Sequence, residues 1–394
     1  MIKIKWVMVL MTLVSMAAML NGCGTIPHRN PLPEALGDTA EIPDIPRARF
    51  WGDETPRFFE AIMSMPHEQR KASFSGIMGR EHHYLALSGG GANGAFGAGL
   101  LVGWTAAGTR PEFTMVTGIS TGALMAPFAF LGPAYDDEIE EMYTKYSTKD
   151  LVIKHNILSA LTGSSTASTK PLREMLARYI DEEVRAAIAA EYQKGRRLYV
   201  STTNLDAKRP VIWNIGLIAI SDRPDALDLI HKVILASASI PAVFPPVLIE
   251  VEADGRRYDE IHVDGGTASQ VFLYPAALDW RQVERFLDVK GKPSAYVIRN
   301  SFLQADWETV KPSILPIAGI SINSLIRTQG IGDMYRIYLD CQRDGIDYHL
   351  AYIPEVFEAQ SKEDFDPVYM SKLFQLGYDM AKDGYPWSKA PPGF

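Results

Sequence analysis

The chain has 394 residues, of which 47% are apolar and 22% charged, with 31 Gly and 25 Pro. These proportions exclude a disordered, collagen-like or coiled-coil chain and leave room for a sizeable core in one large α/β domain or two smaller ones. Lys and Arg total 39 against 47 Asp and Glu, a net charge of −8 with no basic stripe, which argues against a nucleic-acid partner.

Lys3 and Lys5 precede Trp6–Leu20, a run of 15 residues without a charge. A helix that short falls below the ~20 residues needed to span a bilayer. The run ends in Leu20-Asn21-Gly22-Cys23, which resembles a bacterial lipobox, although Asn21 is a less usual residue at its position. The expectation is a lipoprotein signal peptide over residues 1–22, cleavage before Cys23 and acylation of its thiol. An ordinary secretory signal or a short anchor is the alternative. Gly24, not Asp, follows Cys23, which fits outer-membrane residence in an organism with two membranes. Cys341 then has no disulfide partner and is expected as a buried thiol on a helix. Pro27, Pro31, Pro33, Pro43 and Pro46 favour extended backbone. Residues 23–50 are therefore expected to tether the anchor to one folded domain over 51–394.

Within that domain, Pro56 to Ser73 reads as an outlying helix. His82 to Leu87 is a short β-rich run leading into Ser88-Gly89-Gly90-Gly91, and Ala92 to Gly108 is a helix rich in small residues. Phe113 to Gly118 is a second buried strand and Thr121 to Leu131 a second helix. This strand–turn–helix–strand–helix order implies parallel strands joined by a right-handed crossover. Helices follow at Asp136 to Tyr146, Pro171 to Lys194, Pro224 to Ala238 and Ile317 to Arg343. Strands follow at Leu198 to Thr203, Pro210 to Asn214, Tyr258 to Val263, Ala295 to Arg299 and Asp347 to Ile353. The alternation continues without an internal linker or repeat, so the expected class is α/β with one domain.

Three clusters carry chemistry. Gly118-Ile119-Ser120-Thr121-Gly122 is a G-x-S-x-G at a strand-to-helix junction, where a sharp turn forces the serine into strained backbone, flanking glycines allow close approach and a helix N-terminus favours developing negative charge. An N-capping serine in a plain turn is the bland reading. Gly89-Gly90-Gly91-Ala92-Asn93-Gly94 formally matches the dinucleotide fingerprint G-x-G-x-x-G. That fingerprint wants an acidic residue at the end of the next strand, whereas Glu112 lies at its beginning. Backbone N–H groups of Gly89, Gly90 and Gly91 aimed at an oxyanion explain the glycines better. The third cluster, Asp264-Gly265-Gly266, ends another strand and would pass for a turn if it stood alone.

Together these clusters resemble the patatin-like phospholipases. Four blocks occur in that family's order: Gly89 to Gly94, Gly118 to Gly122, Ala236 to Pro246 and Asp264 to Gly266, within a motif core over 84–269 followed by a C-terminal extension over 270–394. The resemblance implies a three-layer α/β/α domain with a mostly parallel central sheet and a Ser120–Asp264 dyad without a catalytic histidine. It also implies lipid acyl esters as substrate, of the phospholipase A, lysophospholipase or carboxylesterase type, with neither cofactor nor metal. Asn93 departs from the family, many of whose members carry Lys or Arg there.

Two rivals remain. The chain order Ser120, Asp264, His349 satisfies a Ser-Asp-His triad, although Asp347 to Leu350 reads as a strand and a structural histidine fits His349 better. A non-catalytic lipid-binding lipoprotein is the other; Ile314 to Ile326 would then line an acyl cleft, although core is the better expectation for it. His82, His83, His155, His231 and His262 show no metal-ligand spacing. The expected partners are a lipid substrate and, through Cys23, a membrane surface. No feature of the sequence specifies an oligomeric state.

Overall fold

The computed structural model describes residues 29–154, 165–305, 307 and 309–394. The expected signal peptide, Cys23 and His155 lie outside the described residues. In chain order come β1 (Arg49–Trp51), α1 (Phe59–Met63), α2 (His67–Ser73), β2 (His83–Leu87), α3 (Gly94–Ala106), β3 (Met115–Gly118), α4 (Thr121–Leu131), α5 (Asp136–Thr144) and α6 (Thr148–Leu151). The short pair β4 (Ile153–Lys154) and β5 (Ala167–Ser168) precedes α7 (Lys170–Tyr179), α8 (Glu182–Gln193), β6 (Arg197–Asn204), β7 (Arg209–Asn214), α9 (Ile215–Ala219) and α10 (Ala226–Ser237). The chain continues through β8 (Val247–Ala253), β9 (Arg256–Asp264), α11 (Trp280–Phe286), β10 (Ser294–Phe302), α12 (Ile314–Asp344), β11 (Asp347–Ile353) and α13 (Pro367–Lys382).

The main sheet runs β1-β7-β6-β3-β2-β10-β11, with β9 beside the far end of β6 and β8 beside β9. Its five neighbours β6, β3, β2, β10 and β11 are parallel, while β1, β7, β8 and β9 join antiparallel. Side-chain alternation along β2 shows why both faces need cover. Leu85 and Leu87 join Val116 under α3, α4 and α10, whereas Tyr84 and Ala86 join Met115 under Met334, Ile337 and Cys341 of α12. The result is a three-layer α/β/α domain, and Cys341 is fully buried in it.

Several elements depart from expectation for local reasons. The segment expected as one helix over Pro171 to Lys194 is two, because Asp181 leaves helical geometry and caps α8 through Glu183 and Val184 N–H, each at 3.0 Å. Pro66 likewise separates α1 from α2. Strand β8 went unread, although the Asp254-Gly255 turn joining it to β9 has both residues at positive φ, the geometry of a two-residue hairpin. Helix α13 also went unread, despite Asp366 at its cap and Pro367 at its first position. It packs so closely on α3 that a Cβ at Gly99, Gly103 or Gly377 would fall inside backbone of the other helix.

Two expectations are corrected. From Arg29 onward the Pro-rich stretch is no free tether. Ile42, Ile45 and Ala48 are buried, Glu41 bridges to Glu252 of β8, and β1 extends the sheet beside β7, so apolar burial holds this strap on the domain. Of the segment 314–326, expected as core or as cleft lining, residues 317–326 are neither. Buried positions on α12 begin at Gly330, and the preceding turns stand in solvent.

Candidate active site

The two G-x-S-x-G glycines are sterically required. A Cβ at Gly118 would lie 2.5 Å from the Gly122 carbonyl oxygen, and one at Gly122 would collide with the Leu87 carbonyl. Between them Ser120 is held at φ 53° and ψ −122°, a strained conformation for a residue with a side chain. Its N–H donates to Ser237 Oγ at 3.0 Å, and that hydroxyl donates to the Ser201 carbonyl at 2.7 Å. Ser237 and Ser201 thus brace the turn from α10 and β6.

Ser120 Oγ donates to Asp264 Oδ2 at 2.7 Å. Asp264 ends β9, and its other oxygen accepts from Gly266 N–H at 2.7 Å while its carbonyl accepts from Thr203 Oγ1 at 3.0 Å. Both residues are buried. Burial pushes the Asp264 carboxyl up to about 6, although the bonds from Ser120 and Gly266 act the other way. Gly265 is needed for close passage, because a Cβ there would strike the Ser201 carbonyl.

The glycine turn after β2 is held by Asn300 of β10. Asn300 N–H donates to Ser88 Oγ at 2.8 Å, its Nδ2 donates to the Ser88 carbonyl at 3.0 Å, and its Oδ1 accepts from Gly97 N–H at 3.1 Å. The expectation of three oxyanion donors needs a correction, because Gly89 N–H is spent on the Gln270 carbonyl at 3.0 Å. Among the described residues, Gly90 and Gly91 N–H have no acceptor. A Cβ at Gly94 would strike Thr121 Oγ1, so that glycine brings α3 against α4. Asn93 accepts from Tyr369 OH at 2.6 Å.

Gly90 and Gly91 open onto a cleft of ≈1110 Å³ whose apolar wall includes Ile240, Val243, Phe302 and Phe357. Its rim carries Glu355, Glu358, Glu363 and Asp364, and no Lys or Arg is among its described lining. Ile240 and Val243 belong to the Ala236 to Pro246 block, which gives that block a place in the site.

Sequence reasoning missed Gln270 and Asn300, which shape the site from two other elements, and gave Ser237 no role of its own although it lies within the Ala236 to Pro246 block. Gln270 also donates to the Gly266 carbonyl at 2.6 Å, so it joins the glycine turn to the aspartate turn. No motif marks Gln270 or Asn300, since each works through backbone groups brought close only by folding. His349 is elsewhere. It pairs with Asp347 at 2.9 Å and packs on Tyr296 with ring centroids 4.5 Å apart. Its register places it level with Val116, three strands or roughly 14 Å across the sheet. Buried His262 lies between Glu260 at 3.1 Å and Thr202 at 2.9 Å. Among the described residues no group of His, Cys, Asp and Glu is placed to hold a metal ion.

The family model described as patatin-like phospholipase matches residues 85–277. Among solved structures, the chain is similar to VipD from Legionella pneumophila at 13% identity and a TM-score of 0.40, over 77% of this chain and 66% of that one. No curated protein matches the chain. Residues 85–277, the segment that carries Ser120 and Asp264, form a patatin-like phospholipase domain.

Proposed function

We propose that the protein is a serine-dependent lipid acyl hydrolase working through a Ser120–Asp264 dyad, on substrates of the phospholipase A, lysophospholipase or carboxylesterase type. The observation that carries this reading is the 2.7 Å bond from Ser120 Oγ to a buried Asp264 whose carboxyl is raised to about 6. A carboxylate with that pKa is mostly ionised at neutral pH and still a stronger base than an ordinary aspartate. Asp264 accepts the Ser120 proton as Oγ attacks the ester carbonyl, and the oxyanion is received by Gly90 and Gly91 N–H. The intermediate collapses, and the leaving alkoxide takes the proton back from Asp264 to depart as an alcohol. Asp264 then deprotonates water, which attacks the acyl-Ser120 ester, and as the acyl group departs as the fatty acid Ser120 Oγ takes that proton back from Asp264, restoring the starting pair. The N-terminus of α4 supports the negative charge that builds beside it, and the Ser120 backbone conformation fixes Oγ at the head of the turn.

The envelope setting is part of the proposal: an exported lipoprotein anchored through Cys23. Incorporation of radiolabelled palmitate that is lost in Cys23→Ser tests it. Fluorophosphonate labelling of the folded chain, with the modified peptide mapped by mass, tests the chemistry. Label is expected on Ser120, absent in Ser120→Ala, strongly reduced in Asp264→Asn and retained in His349→Ala. Loss of label in His349→Ala would favour the triad, and a folded chain that takes no label would overturn the hydrolase reading in favour of a lipid-binding protein.

A further inference from the structure

The N-terminal turns of α12 are out of place in water. Ile317, Ile322, Leu325 and Ile326 are 50%, 55%, 69% and 38% exposed, and Trp307 in the preceding loop is 99% exposed. Every residue from Ile317 to Ile326 except Ile320 is exposed, and no charged residue occurs from Pro312 to Ile326. At 100° per residue the four large side chains spread over about half of the helix circumference. Such a patch marks a site of interaction. We propose that residues 314–326 are a membrane-docking element, which enters the hydrocarbon of a lipid bilayer and sets the active-site cleft against it. The proposal rests on the lipid-substrate reading above.

Position supports this occupant. Gln329, just past these turns, accepts from Gln270 Nε2 at 3.1 Å, and the Gln270 carbonyl holds Gly89. The exposed turns therefore project from the level of the active site, with Phe302 and Gln304 of the adjoining segment in the cleft wall. No described helix is long and apolar enough to cross a membrane. Thirteen helical residues span about 20 Å, enough to enter one leaflet of a ~30 Å hydrocarbon core.

The strap points the same way. Arg29 pairs with Asp206, in the turn after β6, and β6 runs parallel to β3, so Arg29 sits at the sheet edge where β3 delivers Ser120. Six residue steps separate Arg29 from Cys23. Even an extended chain covers only about 3.5 Å per residue, so a lipid on Cys23 would hold that edge within about 20 Å of a bilayer. A protein groove covers one stripe of a helix. Here the exposed surface is broad and uncharged, and its polar members Ser321, Asn323 and Ser324 carry no charge to keep hydrated, which favours hydrocarbon.

The test places the environment-sensitive fluorophore NBD at Leu325→Cys or Leu339→Cys in the full chain, on phosphatidylcholine–phosphatidylethanolamine vesicles. Cys341 is buried with its thiol pushed above the usual range, and the unsubstituted chain supplies the baseline. A blue shift and quenching by brominated acyl chains are expected at 325 and absent at 339, an exposed position further along the same helix. The double variant Ile322→Asp, Leu325→Asp is expected to hydrolyse vesicle lipid about tenfold more slowly or worse, with a soluble short-chain ester cleaved at the original rate. Aqueous emission at 325 on vesicles, or an equal loss on both substrates, would overturn the docking. A blue shift without vesicles that grows with protein concentration would overturn it too, by showing a second copy on the helix. Failure of the unsubstituted chain to cleave any ester would sink the hydrolase reading, while the fluorophore would still decide the docking.

Discussion

Ser120 Oγ and Asp264 Oδ2 lie 2.7 Å apart although 144 positions separate them in the chain. One sits at the end of a parallel strand and the other at the end of an antiparallel strand added to β6. Burial raises the Asp264 carboxyl to about 6, and the hydrolytic rate should inherit that value. The expected kcat/KM for a soluble ester rises about tenfold per pH unit below 6 and levels off above it. A profile flat from pH 4 to 8 would remove Asp264 as the base.

The same burial costs stability. A carboxyl with a raised pKa binds more protons folded than unfolded, so stability is greatest below the unfolded value of 3.8 and declines as pH climbs through about 6. At 1.36 kcal/mol per unit, the ionised Asp264 costs up to about 3 kcal/mol at neutral pH. Asp264→Asn should therefore lose activity by about 100-fold or more and unfold at higher denaturant concentration at pH 7. The stability gain should shrink toward pH 4. Chemical denaturation across that range measures it.

Arg49 of the strap meets Glu260 of β9 at 3.0 Å, with both side chains almost fully buried. Glu260 in turn contacts His262, whose pKa burial pushes down. Arg49→Met would strand a buried carboxylate and should destabilise the chain by about 3–5 kcal/mol. The double variant Arg49→Met, Glu260→Gln should recover a large part of that loss in the same denaturant titration.

Helix α3 follows the glycine turn, and its seat on α13 depends on Gly99. A side chain at that position meets the Phe374 carbonyl, so Gly99→Val should cost about 1–3 kcal/mol through overpacking. Displacing α3 also moves Gly90 and Gly91. The variant should lose esterase rate even at temperatures where its circular dichroism shows it folded.

The acidic cleft rim bears on substrate choice. With Glu355, Glu358 and Glu363 at the mouth and the uncharged Asn93 in the lining, neutral or zwitterionic lipids are expected to be cleaved faster than anionic ones. Exposed charges are screened, so the preference should be about two- to fivefold and should fade in high salt. Glu355→Gln with Glu358→Gln should narrow it. An anionic preference in the unsubstituted chain would contradict this account.

Local rules determined much of this protein from sequence alone. A short β-rich run leading into glycines marked β2, a G-x-S-x-G after a buried strand marked the β3–α4 turn, and Thr121–Leu131 has the bounds expected of it. Ser120 and the glycines were legible because each needs a particular residue type at a chain reversal, whereas Asp264 stood out from a plain turn only through the resemblance to the patatin-like phospholipases. The Asp254-Gly255 hairpin and the Asp366-Pro367 helix start carry local signals of the same kind.

Only the tertiary structure could decide the rest. That Gly89 is spent on Gln270, that Asn300 and Ser237 brace the turns, and that His349 stands three strands from Val116 all depend on strand order, which no local pattern encodes. The strap and the apolar turns of α12 make the same point in opposite directions. Proline-rich sequence reads as tether yet is buried by Ile42 and Ile45, and an apolar run reads as core yet stands clear of the sheet. Hydrophobicity states what a segment gains by leaving water, and the fold determines which surfaces are within its reach.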